Sequence, residues 1–274
     1  MRAYLAALPD VPSDARGVAR VRRCLESLQR PDLRYLVATV LGADAAPIAR
    51  VAAAILRAAG ARSGILGPSL GSTDLDGTPI DDAMLGRAGT LAASAGYQLA
   101  ATAGDLGQLT RREASVTLSL IAFAEASERV ALLPDPEIDP LSPIYAARPD
   151  LVILGTLDVS TVDRAWEAVP DGAPVVASSA DEAVRSRIED RAARTGTPLL
   201  LGGRDHRIEE RGVRVALVVR DDPYVEFDPP PGIGRSELAT GLAAALALGV
   251  MGIRMREEWV LAGIDSLRAE AVPS

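Results

Sequence analysis

Apolar residues at Val18, Val21, Cys24, Leu25 and Leu28 recur three and four apart, which predicts a helix over residues 18–28, with Ser13 placed to cap it. Residues 36–41 are a continuous β-rich apolar run, the mark of a strand buried on both faces. An Ala-rich stretch over 48–59 then predicts a helix opened by Pro47 and stopped by Gly60. Strand signals follow at 64–66, 130–133, 151–154, 174–177 and 198–201, and helix signals at 81–95, 110–126, 162–169 and 181–195. The 110–126 helix starts with Thr110-Arg-Arg-Glu113, a capping box in which hydroxyl and carboxylate each satisfy a backbone N–H that has no helical partner. Strands alternating with helices predict an α/β fold, a mostly parallel sheet flanked by helices. The stretch 67–79, rich in turn formers, reads as an exposed loop, and 134–149 as a second loop.

The period changes after Gly202. Residues 207–227 alternate with period two and carry turn signals at Arg211-Gly212 and Asp221-Asp222-Pro223, which predicts an antiparallel hairpin or meander. Helices over 237–248 and 256–264 follow. The pattern as a whole predicts one domain over residues 1–264: a helical lead-in (1–34), a parallel α/β core (35–201), an antiparallel segment (202–234) and closing helices (235–264), then a tail (265–274).

With 274 residues, 48% of them hydrophobic, the chain can bury a large core. A formal charge of -8 argues against nucleic acid or an anionic membrane as partner, because the average field repels both. The longest apolar run, 238–253, is shorter than the roughly 20 residues a bilayer span needs and reads as a buried helix. The first residues show no secretion signal. Cys24 is the single cysteine, which excludes an internal disulfide or a Cys-cluster zinc site and suits a reducing cytoplasm; its spacing makes it a small core residue. All 29 basic residues are arginine, so a P-loop lysine, a Schiff base and a carbamoylated lysine are excluded; asparagine is missing too.

The strand, turn and helix of residues 35–60 form the scaffold that grips phosphate in many proteins. A working loop needs glycines that close on the anion, a lysine and a Mg²⁺-holding Ser/Thr, whereas this turn reads Gly42-Ala43-Asp44-Ala45-Ala46-Pro47. It is a vestigial phosphate loop, in which Asp44 is expected to repel anions and to cap the helix itself. Gly42 has no partner glycines at dinucleotide spacing. Asp135, Glu137 and Asp139 follow a strand, and extended geometry would set their carboxylates on one side, either as oxygen ligands for Mg²⁺ or Ca²⁺ or as a solvated acidic loop. His206, the only histidine, excludes a His-rich metal site and suits a surface or packing role; a Ser-His-Asp triad would have to draw on it.

Several strings share an order and spacing with one family: Ile55-Leu-Arg-Ala-Ala-Gly60, Gly64-Ile-Leu-Gly-Pro68, Asp76-Gly-Thr-Pro-Ile80, Leu109-Thr-Arg-Arg-Glu113 with Ala122-Phe-Ala-Glu125, Pro149-Asp-Leu-Val-Ile153, Gly172-Ala-Pro-Val-Val176 and Leu201-Gly-Gly-Arg-Asp205. Over residues 35–264 the chain resembles the N-terminal ATPase domain of the folylpolyglutamate and dihydrofolate synthases, in the Mur ligase superfamily. The resemblance implies a P-loop-like ATPase fold and an ATP- and Mg²⁺-dependent ligase joining a carboxylate to an amine. It also implies that the family's C-terminal ligase domain is absent here. Carried over, the family's phosphate loop falls on residues 41–47, with Ala45 in the lysine's place and Pro47 in that of the Ser/Thr. The Mg²⁺-binding glutamate falls near Leu133-Pro134, the carbamoylated lysine near Ala165, and the late nucleotide motif near Gly234-Arg235 and Leu238. Glu113, Asp139 and Asp158 are retained, Asp158 within Leu157-Asp158-Val159, and Asp158 joins Asp135, Glu137 and Asp139 as a weak metal candidate. The expectation is a degenerate module with no cofactor, acting through a protein partner or as a homo-oligomer. The alternatives are a residual ligase using ATP and Mg²⁺, alone or completed by another subunit, and a small-molecule binder.

Overall fold

The computed structural model describes residues 2–178 and 181–271. Its helices in chain order are α1 (Arg2–Ala7), α2 (Gly17–Ser27), α3 (Ala45–Ala58), α4 (Asp82–Thr102), α5 (Arg111–Glu125), α6 (Val159–Glu167), α7 (Glu182–Thr195), α8 (Arg235–Val250) and α9 (Glu257–Glu270). Its strands are β1 (Leu36–Leu41), β2 (Ser63–Ile65), β3 (Asp74–Leu75), β4 (Thr78–Pro79), β5 (Val130–Asp135), β6 (Leu151–Leu154), β7 (Val175–Ala177), β8 (Leu199–Leu201), β9 (His206–Arg211), β10 (Arg214–Val219) and β11 (Asp222–Phe227). The first eight strands form a mostly parallel sheet flanked by helices and the last three a small antiparallel sheet, the α/β class that the alternating pattern predicts. No helix among the described residues is long and apolar enough to cross a membrane.

The chain divides into two compact units: residues 1–37, 62–133 and 139–148 form the first, and 38–61, 134–138 and 149–274 the second. In the first, β2 runs parallel to β5, and β3 and β4 extend it antiparallel from within the 67–79 loop. Val21, Cys24, Leu25, Leu118 and Phe123 pack in its core, so Cys24 is the core residue its spacing suggests. The Tyr35 hydroxyl donates to the Leu120 carbonyl at 2.9 Å. Two local readings differ from the structure. Ser13 does not cap α2, whose N-cap is Arg16 with no side-chain bond, because the chain spends one more turn before the helix starts. The helix begun at Asp81 runs on to Thr102, since Ala and Leu in its last turns give it no reason to stop at 95.

Glu113 does more than close its capping box. The carboxylate accepts from the Thr110 N–H at 3.0 Å and takes a two-pronged grip from Arg20, at 2.8 Å from Nε and 2.7 Å from Nη2. Both residues are buried, and Arg20 also donates to the Leu106 carbonyl at 3.0 Å. The pair therefore fastens α2 to the start of α5.

In the second unit β1 pairs in parallel with β6, β6 with β7 and β7 with β8. Helices α8 and α9 lie against α3, close enough that a Cβ on Gly241 would stand 2.6 Å from Val51 Cβ and one on Gly263 2.7 Å from Ile55 Cδ1. The 238–253 run is thus mostly the buried helix α8. Leu217, Phe227, Leu242 and Val260 join Val51 and Ile55 in one core. The antiparallel segment is a meander ordered β11-β10-β9. Its second turn is one residue earlier than the sequence suggests: Arg220 and Asp221 carry φ of 49° and 69°, the paired left-handed residues of a type I′ hairpin, while Pro223 lies inside β11 beside a register shift.

Replacing Arg20 by Ala strands a buried carboxylate and is expected to lower the unfolding free energy by roughly 3–5 kcal/mol, whereas an apolar pair, Arg20→Met with Glu113→Leu, should recover much of it. Urea denaturation of the three variants measures both effects, and equal losses for the single and the double variant would contradict the assignment.

Candidate functional site

The β1–α3 turn is where the sequence places a phosphate loop, and its geometry is set by two glycines. Gly42 has φ of 120°, a conformation that strains any other residue, and a Cβ there would fall 2.8 Å from the Thr156 carbonyl oxygen. Its N–H donates to the Asp135 carbonyl at 3.3 Å, and the Ala45 N–H folds back onto the Gly42 carbonyl at 2.9 Å. Gly155, just after β6, donates its N–H to the Leu41 carbonyl at 2.7 Å. A Cβ on Gly155 would come within 2.1 Å of an Asp44 carboxylate oxygen, so only glycine leaves room for that side chain.

Helix α3 starts at Ala45, three residues before the expected 48. Pro47 is its third residue, which the helix tolerates because the first N–H groups have no helical acceptor to lose. Asp44 holds the N-cap position, yet no side-chain capping bond is made, contrary to the expectation. The carboxylate instead crosses to the β6–α6 turn: Oδ1 accepts from the Thr156 N–H at 2.6 Å and Oδ2 from the Thr156 hydroxyl at 2.8 Å. Asp44 is buried, whereas Thr156 is exposed.

These residues do not fit a nucleotide and its Mg²⁺. Ala45 is buried and carries no charge, Ala43 and Ala46 offer methyl groups, Pro47 has neither hydroxyl nor N–H, and the N–H groups of Gly42 and Ala45 are taken. A phosphate 4 Å from the Asp44 carboxylate would meet a repulsion on the order of 4 kcal/mol at an effective dielectric near 20, more than the up to about 2 kcal/mol a helix N-terminus returns.

The acidic candidates do not converge. Asp135 ends β5 and is buried, Glu137 is exposed, and Ile138 between Glu137 and Asp139 has φ of 51°, which breaks the extended geometry that was to align the carboxylates. Asp139 accepts from the Leu141 N–H at 3.0 Å. Asp158 caps α6, accepting from the Thr161 N–H at 2.8 Å and the Ser160 hydroxyl at 2.6 Å; the Ser160 bond, then the Thr161 N–H, holds its carboxyl below the usual range. Among the described residues no three His, Cys, Asp or Glu side chains gather as metal ligands.

Other candidates resolve into structure. Burial, then the Glu113 charge, pushes the Cys24 thiol up to about 12, so it is no nucleophile. Gly67-Pro68-Ser69-Leu70-Gly71 has the spacing of a nucleophile elbow, which corrects the expectation that the chain carries no Gly-x-Ser-x-Gly motif. Ser69 opens a single 3₁₀ turn, its hydroxyl 3.0 Å from that of Ser72. The residues missed in sequence are Gly155, Thr156 and Arg20. A glycine directly after a predicted strand is a signal for close backbone approach and pointed to Gly155; nothing local marks the other two.

Among solved structures, the folylpolyglutamate synthetase of Lactobacillus casei matches with a TM-score of 0.79 at 18% identity, over 96% of this chain and 69% of that one. The folylpolyglutamate synthase of Thermotoga maritima matches at 0.78 with 17% identity, over 96% of this chain and 64% of that one. The Mycobacterium tuberculosis enzyme complexed with ADP and AMPPCP matches at 0.74 with 16% identity, over 94% and 63%. At such identities the likeness is one of fold. No family model matches the chain, and no curated protein does.

His206 is buried, not at the surface, and both ring nitrogens lie without a hydrogen-bond partner. Desolvation holds its pKa down to about 4. Between about 6.5 and about 4 the unfolded chain therefore binds a proton that the folded chain refuses, so stability is full above that window and is lost as pH falls through it. From pH 7 to pH 5 the wild type should lose roughly 2 kcal/mol more than a His206→Phe variant. Urea midpoints at the two pH values measure the difference, and parallel losses would show that the imidazole is charged in the native state.

Proposed function

We propose that this chain is a module of the folylpolyglutamate synthetase fold that has left ligase chemistry and works by binding, as the partner of another protein or of a second copy. The observation that carries the reading is the Asp44 carboxylate held on Thr156 in the turn where phosphate chemistry needs a lysine and an open cradle. Lysine, Ser/Thr and metal-holding glutamate act as one unit in phosphoryl chemistry, so an arginine elsewhere does not replace them. A binding role is supported by α4, where Leu91 and Tyr97 stand 37% and 68% exposed on a helix whose charged residues are Asp82 and Arg87 alone. A cytoplasmic location fits the single buried cysteine.

A second reading, ATP-dependent amide ligation completed by another subunit, draws on the structural neighbours crystallised with AMPPCP, one of them also with folate. It requires Mg²⁺-ATP to bind, and the favoured reading forbids it. Calorimetry of the purified chain with Mg²⁺-ATP is expected to show no heat of binding; a micromolar dissociation constant would replace the first reading by the second.

Light scattering is expected to show a homodimer or a complex with a co-purifying protein. A monomer that remains monomeric at high concentration and carries no companion would remove the partner role.

A further inference from the structure

We infer that the outward face of α4 receives a second copy of this chain, the two α4 helices lying antiparallel about a twofold axis at Ala92. The inference rests on the binding role proposed above and adds the face, the occupant and the register. At 21 residues α4 is the longest helix among the described residues. Met84, Ala88, Ala92, Ala95 and Leu99 hold it on the core of its own unit.

On the opposite side Ala83, Arg87, Thr90, Ser94, Tyr97 and Ala101 are all exposed, and they follow one another by four, three, four, three and four residues. That is the spacing of a seam between two packed helices. About Ala92 the seam matches its own reverse: Ala83 comes opposite Ala101 of the second copy, Arg87 opposite Tyr97, and Thr90 opposite Ser94. A dyad makes each of these contacts twice. Small residues at both ends let the backbones approach, two hydroxyls meet on either side of the axis, and a guanidinium meets a ring. Small side chains alone would admit many helices; the order cation, hydroxyl, hydroxyl, aromatic fits itself reversed. Two of these side chains are short of partners within the chain. Among the described residues Arg87 has no carboxylate beside it, its contact being Met84 Sδ at 3.8 Å. Tyr97 meets the Tyr4 ring edgewise, 5.6 Å between centroids, and otherwise projects outward, open to a cation on its face.

Charge selects the occupant. Two chains of formal charge -8 repel each other, so a second copy is best received on a face close to neutral, and the two charges of α4, Asp82 and Arg87, cancel. The antiparallel arrangement also sets the positive end of each helix dipole beside the negative end of the other. A strip about 31 Å long and about 10 Å wide offers on the order of 300 Å² per copy, below the roughly 800 Å² of a standard interface. Exposed Ala3, Ala6 and Ala7 of α1, beside α4 through the Tyr4–Tyr97 contact, widen the strip. The dimer is therefore a reversible one, set by concentration.

The experiment is sedimentation velocity of the full chain and of Arg87→Glu over roughly 1 to 200 µM, with oxidative cross-linking to read the register. Expected is a wild type that passes from monomer to dimer, and an Arg87→Glu variant whose dimer is at least about tenfold weaker at an unchanged melting temperature. Chains carrying Thr90→Cys mixed with chains carrying Ser94→Cys should cross-link into a mixed dimer, and Thr90→Cys mixed with Ala101→Cys should not; the native Cys24 is buried and does not compete. A wild type that stays monomeric overturns the inference. So does a dimer that is indifferent to Arg87→Glu and cross-links in neither mixture, but that result leaves the proposed binding role standing. A different protein that co-purifies and is lost with Arg87→Glu overturns the second copy as occupant. Should Arg87→Glu fail to fold, the two mixtures decide alone. Mg²⁺-ATP calorimetry tests the departure from ligase chemistry, and its result does not depend on the α4 face.

Discussion

Two strand ends, β1 at Leu41 and β6 at Leu154, approach so closely that the backbone between them admits no side chain. Gly42 sits where a Cβ would strike the Thr156 carbonyl, and Gly155 where a Cβ would strike Asp44. Once both positions are bare, the Gly155 N–H reaches the Leu41 carbonyl and the Asp44 carboxylate reaches Thr156. A buried carboxylate must be hydrogen-bonded or it costs several kcal/mol, so the Thr156 donors are a condition for Asp44 to be in this turn at all. The turn's conformation, the start of α3 and the start of the β6–α6 connection follow from that one approach.

Much of the fold was legible because its signals are local and periodic. Strands β1 and β6 were read to the residue, since continuous apolar runs have sharp polar ends. The capping box at Thr110 and Glu113 was read with its reciprocal bonds, because both partners sit within one turn. Helix starts were less legible. The 48–59 pattern sets Pro47 at the opening of the helix, and the structure makes it the third helical residue, because any of the first positions tolerates proline. The cap assigned to Ser13 failed for a similar reason: a serine upstream of a helix signals a cap only when no extra turn intervenes.

The site was half legible. That the turn lacked lysine and hydroxyl could be read directly, and so could the presence of a carboxylate. Where the carboxylate goes could not, since its partner lies 112 residues away. Asp44 was assigned to its own helix by the usual preference for Asp at an N-cap, and tertiary contact overrode it. Glu113 shows the same limit: its spacing from Thr110 marks a capping role, and only the packing of α2 on α5 brings Arg20 onto the same carboxylate. His206 lies in the period-two segment, which suits a surface or a packing role; burial of both its nitrogens decides for packing.

The position of α3 is fixed from both sides. On one side, Gly241 of α8 and Gly263 of α9 let those helices press against Val51 and Ile55. At its N-terminus, the Asp44 side chain ties the helix start to Thr156. A nucleotide-dependent loop is free to rearrange when ligand leaves, because the ligand supplies part of what orders it. Here the Asp44 carboxylate and the Thr156 donors that order the turn belong to the chain itself. If, as proposed above, the module works by binding, a helix held by the chain's own side chains suits a scaffold that presents a constant surface.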